Sequence, residues 1–224
     1  MAAGEGRRLR PLTEVWPKPV LPIAGRPVIA TLLRELALAG FEEVTVVTGH
    51  LAERVEGLLD DGAGFGLRIR YARQPEPLGS ADAVRCALEA GAHPPLLVLG
   101  ADTVFASGEL SRAFQLPEGA TAALGVRPSS DPKKTLVTVL NGLVTAIGEG
   151  EGGLRAAPLW VLGEEIVASL TDLSGPPFEL ADAVQRAIAA GKEILAVELG
   201  PTRDLTRPED VMNHNFPYLS KGGK

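Results

Sequence analysis

The residues best suited to chemistry stand at the start of the chain, where Gly4-Glu5-Gly6-Arg7-Arg8-Leu9 sets two glycines beside two arginines. Glycines let backbone N–H groups approach an anion closely, and guanidinium groups match phosphate oxygens in charge and geometry. Further along, Pro17-Lys18-Pro19 holds a lysine in a rigid extended segment, a fixed positive charge that can be aimed at a phosphate. Leu96-Leu97-Val98-Leu99-Gly100-Ala101-Asp102 reads as a buried strand that ends in a carboxylate. That position suits Mg²⁺, which keeps several waters and takes one or two carboxylates together with substrate phosphates. The loop is not a dinucleotide fingerprint, because Leu9 stands where the third glycine would be, and not a Walker loop, because no Gly-Lys-Ser/Thr follows. Each feature also has a plain structural reading: a surface turn, a solvated lysine, an aspartate capping a loop.

Charge favours the phosphate reading. Through Arg26 the basic residues Arg7, Arg8, Arg10, Lys18 and Arg26 stand against only Glu5 and Glu14, in a chain whose net charge is -6. A local positive excess in an acidic protein is the footprint of a compact phosphate site. The overall acidity argues against a nucleic-acid partner. The lone Cys86 allows neither an intrachain disulfide nor a thiol metal site, which fits a reducing cytoplasm. No apolar run approaches the roughly 18 residues of a membrane span, and no signal-peptide core opens the chain.

These residues need an α/β frame to position them, and the hydrophobic pattern predicts one. Helices are expected over Arg26 to Leu38, Leu51 to Leu59, Ser80 to Ala90, Phe178 to Ala190 and Arg207 to His214. Strands are expected over Glu43 to Thr48, Leu67 to Ala72, Pro95 to Leu99, Thr121 to Val126, Leu159 to Leu162 and Ile194 to Glu198. That alternation implies a mostly parallel sheet covered on both faces, with ligands at the carboxyl ends of its strands. Beyond Pro128 a hairpin is expected, Thr135 to Leu140 returning through Asn141-Gly142 along Leu143 to Ile147, the start of a small β-rich lobe. A glycine loop ordinarily follows an anchoring strand, and the sequence starts at the loop itself. A truncated first strand, or one encoded upstream, is therefore expected.

Arg8-Leu9-Arg10-Pro11-Leu12-Thr13, Trp16-Pro17-Lys18-Pro19 and Gly25-Arg26-Pro27 continue the loop. Together these runs resemble the signature of the sugar-1-phosphate nucleotidylyltransferases, which typically read Ala-Ala-Gly-x-Gly-Thr-Arg-Leu-x-Pro-Leu-Thr followed by Pro-Lys-Pro. Further matches follow in order. Gln74 with Leu78-Gly79-Ser80-Ala81 resembles the family's base-recognising Gln-x-x-x-x-Gly-Thr-Ala segment, Gly100-Ala101-Asp102 its Gly-Asp strand end, and Arg203-Asp204-Leu205-Thr206-Arg207-Pro208-Glu209-Asp210 its closing Trp-x-Asp-Ile-Gly-Thr-Pro-Glu-Asp segment.

The resemblance implies a three-layer Rossmann-like domain of the nucleotide-diphospho-sugar transferase type, spanning 1–224. Its nucleotide-binding half would run to about 128, its sugar-phosphate half over about 129–200 and its closing metal-site segment over 201–224. It implies a cytoplasmic enzyme acting on an NTP, with dTTP or UTP favoured, and a sugar 1-phosphate, compatible with a homo-oligomer. Arg8, Lys18 and Asp102 would be catalytic, Ala2, Ala3, Gly4, Gly6, Arg8, Gln74, Gly79 and Ser80 would bind nucleotide, and Asp102 with Asp204 would hold Mg²⁺. Gln74 also reads as an exposed polar residue, and Asp204 as a carboxylate at a helix N-terminus. The sugar-side motifs depart from the family at Thr135-Leu136, Gly148 to Glu151 and Ala156-Ala157-Pro158, as do Thr202 and Thr206 around Asp204 and Arg7 in the glycine loop. A non-catalytic, nucleotide- or sugar-phosphate-binding relative is the alternative those departures allow. His50, His93 and His214 show no metal spacing, and Trp16 and Trp160 read as packing residues.

Overall fold

The computed structural model describes residues 1–113, 120–129, 135–148 and 153–217. Residues 149–151 of the altered sugar motif, and 218–224 of the tail after Asn215 that the sequence reads as frayed, lie outside them. The chain forms two compact units: Met1–Pro77 with Gly100–Gly108 and Thr202–Lys224, and Leu78–Leu99 with Glu109–Pro201. It is α/β, as the alternation predicts.

In the first unit, Glu43–Thr48 pairs in parallel with Arg68–Arg73, from Glu43 opposite Arg68 to Thr48 opposite Arg73. Helix Ala52–Leu59 connects them, its buried Ala52, Val55 and Leu59 recurring at helical spacing on one face. Helix Val28–Leu38 buries Val28, Ile29, Leu32, Leu33 and Leu36 in the same manner. It starts later than the apolar pattern suggests, because Arg26–Pro27 pairs antiparallel with Pro22–Ile23. Ala24 and Gly25, both at positive φ, make the intervening two-residue turn. Met1 to Ala3 are held by backbone bonds: Ala2 N–H donates to Val47 O at 2.8 Å, His50 N–H to Ala3 O at 3.1 Å and Ala101 N–H to Met1 O at 3.0 Å.

One apolar cluster anchors this unit's loops. Leu9, Leu21, Ile23, Val28, Val104 and Leu205 pack together, with Leu12 and Val211 against them. Leu9, which breaks the glycine fingerprint, is only 1% exposed. Burial of a leucine side chain is worth about 1.5–3 kcal/mol, so the residue after the arginines fastens the loop to the core.

The second unit holds a mixed six-stranded sheet in the order Leu96–Leu99, Leu154–Leu162, Ala122–Pro128, Ile194–Glu198, Leu143–Ile147, Val137–Leu140. Ile194–Glu198 runs parallel to Ala122–Pro128, and the remaining neighbours are antiparallel. The expected hairpin forms, with Asn141 and Gly142 both at positive φ. A Cβ at Gly125 would lie 2.9 Å from Leu199 Cδ1 and 3.0 Å from Leu159 Cβ, so a larger residue there requires those leucines to shift.

Helices Ser80–Glu89 and Leu180–Ala189 cap each other in that unit. Ser80 N–H donates to Glu179 Oε2 at 3.3 Å and Ser80 Oγ donates to the same oxygen, while Leu180 N–H donates to Ser80 Oγ at 2.9 Å. Each side chain thereby satisfies an N-terminal amide that its neighbour's helix leaves without an internal partner.

Candidate active site

A cleft of about 350 Å³ opens in the first unit, lined by Ala2, Gly4, Gly6, Arg8, Lys18 and Asp102 among others. The glycine loop forms one wall. Gly6 takes a left-handed conformation, φ 62 and ψ 35, which turns the chain into the short helical turn Arg7–Leu9. Among the described residues, no backbone carbonyl accepts from the N–H groups of Gly4, Glu5 or Gly6. Successive amides around a left-handed residue form a concave nest for an anion.

The three loop arginines divide their work. Arg7 Nε donates to Glu5 Oε2 at 2.7 Å, and Arg10 lies 3.5 Å from the same oxygen. The Arg7 guanidinium holds the Glu5 carboxyl below its ordinary range, with Arg10 and His50 adding to the effect. Arg7 and Arg8 both line the cleft, but Arg8 pairs with no carboxylate among the described residues. One partly buried acid thus occupies two of the arginines and leaves the third unpaired with any carboxylate among the described residues.

Opposite, Lys18 Nζ donates to Asp102 Oδ2, and Thr103 Oγ1 donates to Asp102 Oδ1 at 3.3 Å. The side chains of Lys18 and Asp102 are 18% and 31% exposed, so the pair is sheltered yet reachable from the cleft. Pro17 and Pro19 flank the lysine, and the turn Lys18–Val20 sets its direction. Asp204 arrives from far along the chain. Arg203–Asp204 pairs antiparallel with Thr103–Val104, which puts Asp204 across the ladder from Thr103, the residue after Asp102. The next residues, Leu205 and Thr206, line the cleft.

Other expected residues lie elsewhere. Ala3 is buried, its carbonyl bonded to His50 N–H. Gln74 is 5% exposed, not a surface residue, and its N–H donates to Thr48 O at 2.8 Å. Gly79 and Ser80 belong to the second unit. Gly79 has φ +112, and a Cβ on it would lie 2.3 Å from Phe178 O. Ser80 Oγ is engaged in the helix caps already described. Sequence reading names Thr206, a cleft-lining residue, only as a departure from the resembled pattern, and it misses the paired bonds that His50 and Thr13 make to the loop. Thr13 sits inside the matched motif, whereas the residues around His50 carry no sequence signal for such a role.

For a divalent cation the cleft itself offers the Asp102 carboxylate, while Asp204, across the ladder from Thr103, is not among the lining residues. Among the described residues no group of three or more His, Cys, Asp or Glu could hold a metal. A single cleft carboxylate would suit only a hard cation that shares its sphere with water and ligand phosphates.

The fold and this cleft define an α/β protein with a glycine-loop site arranged for anionic ligands. A family model described as nucleotidyl transferase matches residues 1–135. Over 227 residues the chain is 27% identical to the low-salt glycan biosynthesis nucleotidyltransferase Agl11 of Haloferax volcanii, covering 96% of this chain and 64% of the relative. Over 131 residues it is 39% identical to the N-acetylmuramate alpha-1-phosphate uridylyltransferase of Neisseria meningitidis, covering 55% of each. The chain therefore spans less than two thirds of the length of these curated relatives. Its fold matches UDP-glucose pyrophosphorylase of Acinetobacter baumanii with a TM-score of 0.80, 22% identity and coverage of 100% of this chain and 93% of that one. The chain belongs to the nucleotidyl transferase family. Among the described residues no helix is long and apolar enough to cross a membrane.

Proposed function

We propose that this protein is a sugar-1-phosphate nucleotidylyltransferase, transferring a nucleotidyl group from an NTP, with dTTP or UTP favoured, to a hexose 1-phosphate. The observation that carries this reading is the convergence of Arg8, Lys18 and Asp102 on one glycine-loop cleft. An oxygen of the sugar 1-phosphate forms a bond to the α-phosphorus in line with the departing oxygen, and the bond to the β-phosphate breaks, releasing pyrophosphate. No covalent enzyme intermediate is needed, so the protein contributes alignment and charge neutralisation. Arg8 would stabilise the departing pyrophosphate, and Lys18 would turn from Asp102 toward the reacting phosphates. The loop amides would cradle the triphosphate. Asp102 and Asp204 would hold Mg²⁺, which supplies charge neutralisation to the phosphates.

Support for a pyrimidine nucleotide comes from the family resemblance and from the Neisseria relative, itself a uridylyltransferase. The deciding experiment is a pyrophosphate-release assay with Mg²⁺, dTTP, UTP, CTP and GTP, each against several hexose 1-phosphates. Turnover with dTTP or UTP is the expected result. NTP binding with no turnover for any pair would replace this function by the non-catalytic reading.

A further inference from the structure

Resting on the nucleotide-binding reading of the cleft, we propose that His50 is a positioning residue, clamping the glycine loop in its ligand-ready shape. His50 follows the strand Glu43–Thr48 and grips the loop twice. Its backbone N–H donates to Ala3 O at 3.1 Å, at the loop's entrance. Its Nε2 lies 2.7 Å from Thr13 O, beyond the loop's exit. A carbonyl oxygen only accepts, so Nε2 carries the proton and donates.

Thr13 passes the grip inward. This residue is 1% exposed, and its Oγ1 donates to Gly6 O at 3.0 Å. The dipeptide Gly49-His50 therefore fixes the loop's entrance directly, its exit through the imidazole, and its left-handed centre through Thr13. Gly49 permits the close approach, since a Cβ there would lie 2.9 Å from both Ala3 Cβ and Ala3 O. Between these anchors stand the amides of Gly4, Glu5 and Gly6, uncommitted to backbone carbonyls and oriented before any ligand arrives. A preset nest avoids the ordering cost that a loose loop would pay on binding. His50 does not line the cleft, so it acts through Thr13 and not by touching a substrate.

The test uses the full chain with His50→Ala and His50→Gln, because a glutamine amide can still donate to Thr13 O. Hydrogen exchange of the Gly4–Arg10 segment is followed without ligand, with Glu43–Thr48 as internal reference. Affinities for dTTP and UTP with Mg²⁺ are measured by titration. His50→Ala should speed exchange in the loop and leave the strand unchanged. It should weaken NTP binding about tenfold, the loss of one partly buried hydrogen bond, and His50→Gln should recover most of both. Parent-like loop exchange in His50→Ala overturns the proposal, as does a glutamine variant no better than alanine, or exchange rising equally in loop and strand. Should the parent bind neither nucleotide, the proposed function fails by itself, and loop exchange still decides the clamp.

Discussion

Lys18 and Asp102, 84 positions apart in the chain, form an ion pair at the mouth of the glycine-loop cleft. Each supplies the other's counter-charge, and in the proposed reaction phosphate and cation would take over that part. Asp102→Asn keeps a polar group of the same shape while removing the charge. Its turnover with Mg²⁺ should fall by about 100-fold or more, the scale of losing one well-placed electrostatic partner. Thermal unfolding should move little, because a partly exposed pair contributes at most about 1 kcal/mol. Turnover within a few-fold of the parent would remove Asp102 from the active site.

The glycines separate backbone strain from close approach. Gly6→Ala places a Cβ 2.9 Å from Thr13 Cγ2 at a positive φ, so a stability loss of about 1–3 kcal/mol is expected in chemical denaturation. Gly4 has nothing within 4 Å of an added Cβ. Gly4→Ala should therefore unfold like the parent, and any loss of NTP affinity in it measures how closely the ligand approaches the loop. Equal denaturation midpoints for Gly6→Ala and the parent would contradict the loop geometry.

Arg7 and Arg8 are adjacent but should respond differently. Arg7→Ala removes an exposed pair with Glu5, worth about 0.2–1 kcal/mol at most, and should leave kcat/KM for the NTP nearly unchanged. Arg8→Ala should keep stability and lower kcat/KM by about 100-fold. Steady-state kinetics on the two variants distinguish a ligand-facing arginine from a general positive patch, which would make the losses similar.

In the second unit, Ser80→Ala removes the hydroxyl that caps Leu180 N–H and bonds Glu179, while the backbone N–H at position 80 keeps Glu179 Oε2 as its acceptor. A loss of about 0.5–2 kcal/mol is expected, measured by urea denaturation. Glu179→Gln, which still accepts hydrogen bonds, should lose less. A Ser80→Ala variant as stable as the parent would show that the caps contribute nothing to the fold.

Much of this protein was legible in one dimension. Glu43–Thr48, Leu143–Ile147 and Ile194–Glu198 fall where their apolar and β-branched runs place them, and Asn141-Gly142 turns where its tolerance of positive φ predicts. The glycine loop, its arginines and the proline-flanked lysine could be read because their chemistry is local: each property belongs to a residue and its immediate neighbours. Local reading failed where pairing is too short to carry a period. Thr103–Val104 and Arg203–Asp204 are two-residue strands with no alternation to detect, yet their ladder sets Asp204 opposite Thr103, the residue after Asp102. Likewise nothing near His50 points to Thr13, and nothing near Ser80 points to Glu179, since hydrogen-bond partners 37 and 99 positions away are chosen by packing. The sequence by itself determined which groups could meet a phosphate. Only the tertiary structure decided which of them share a cleft and which are held elsewhere, because burial and long-range backbone pairing fix those neighbours.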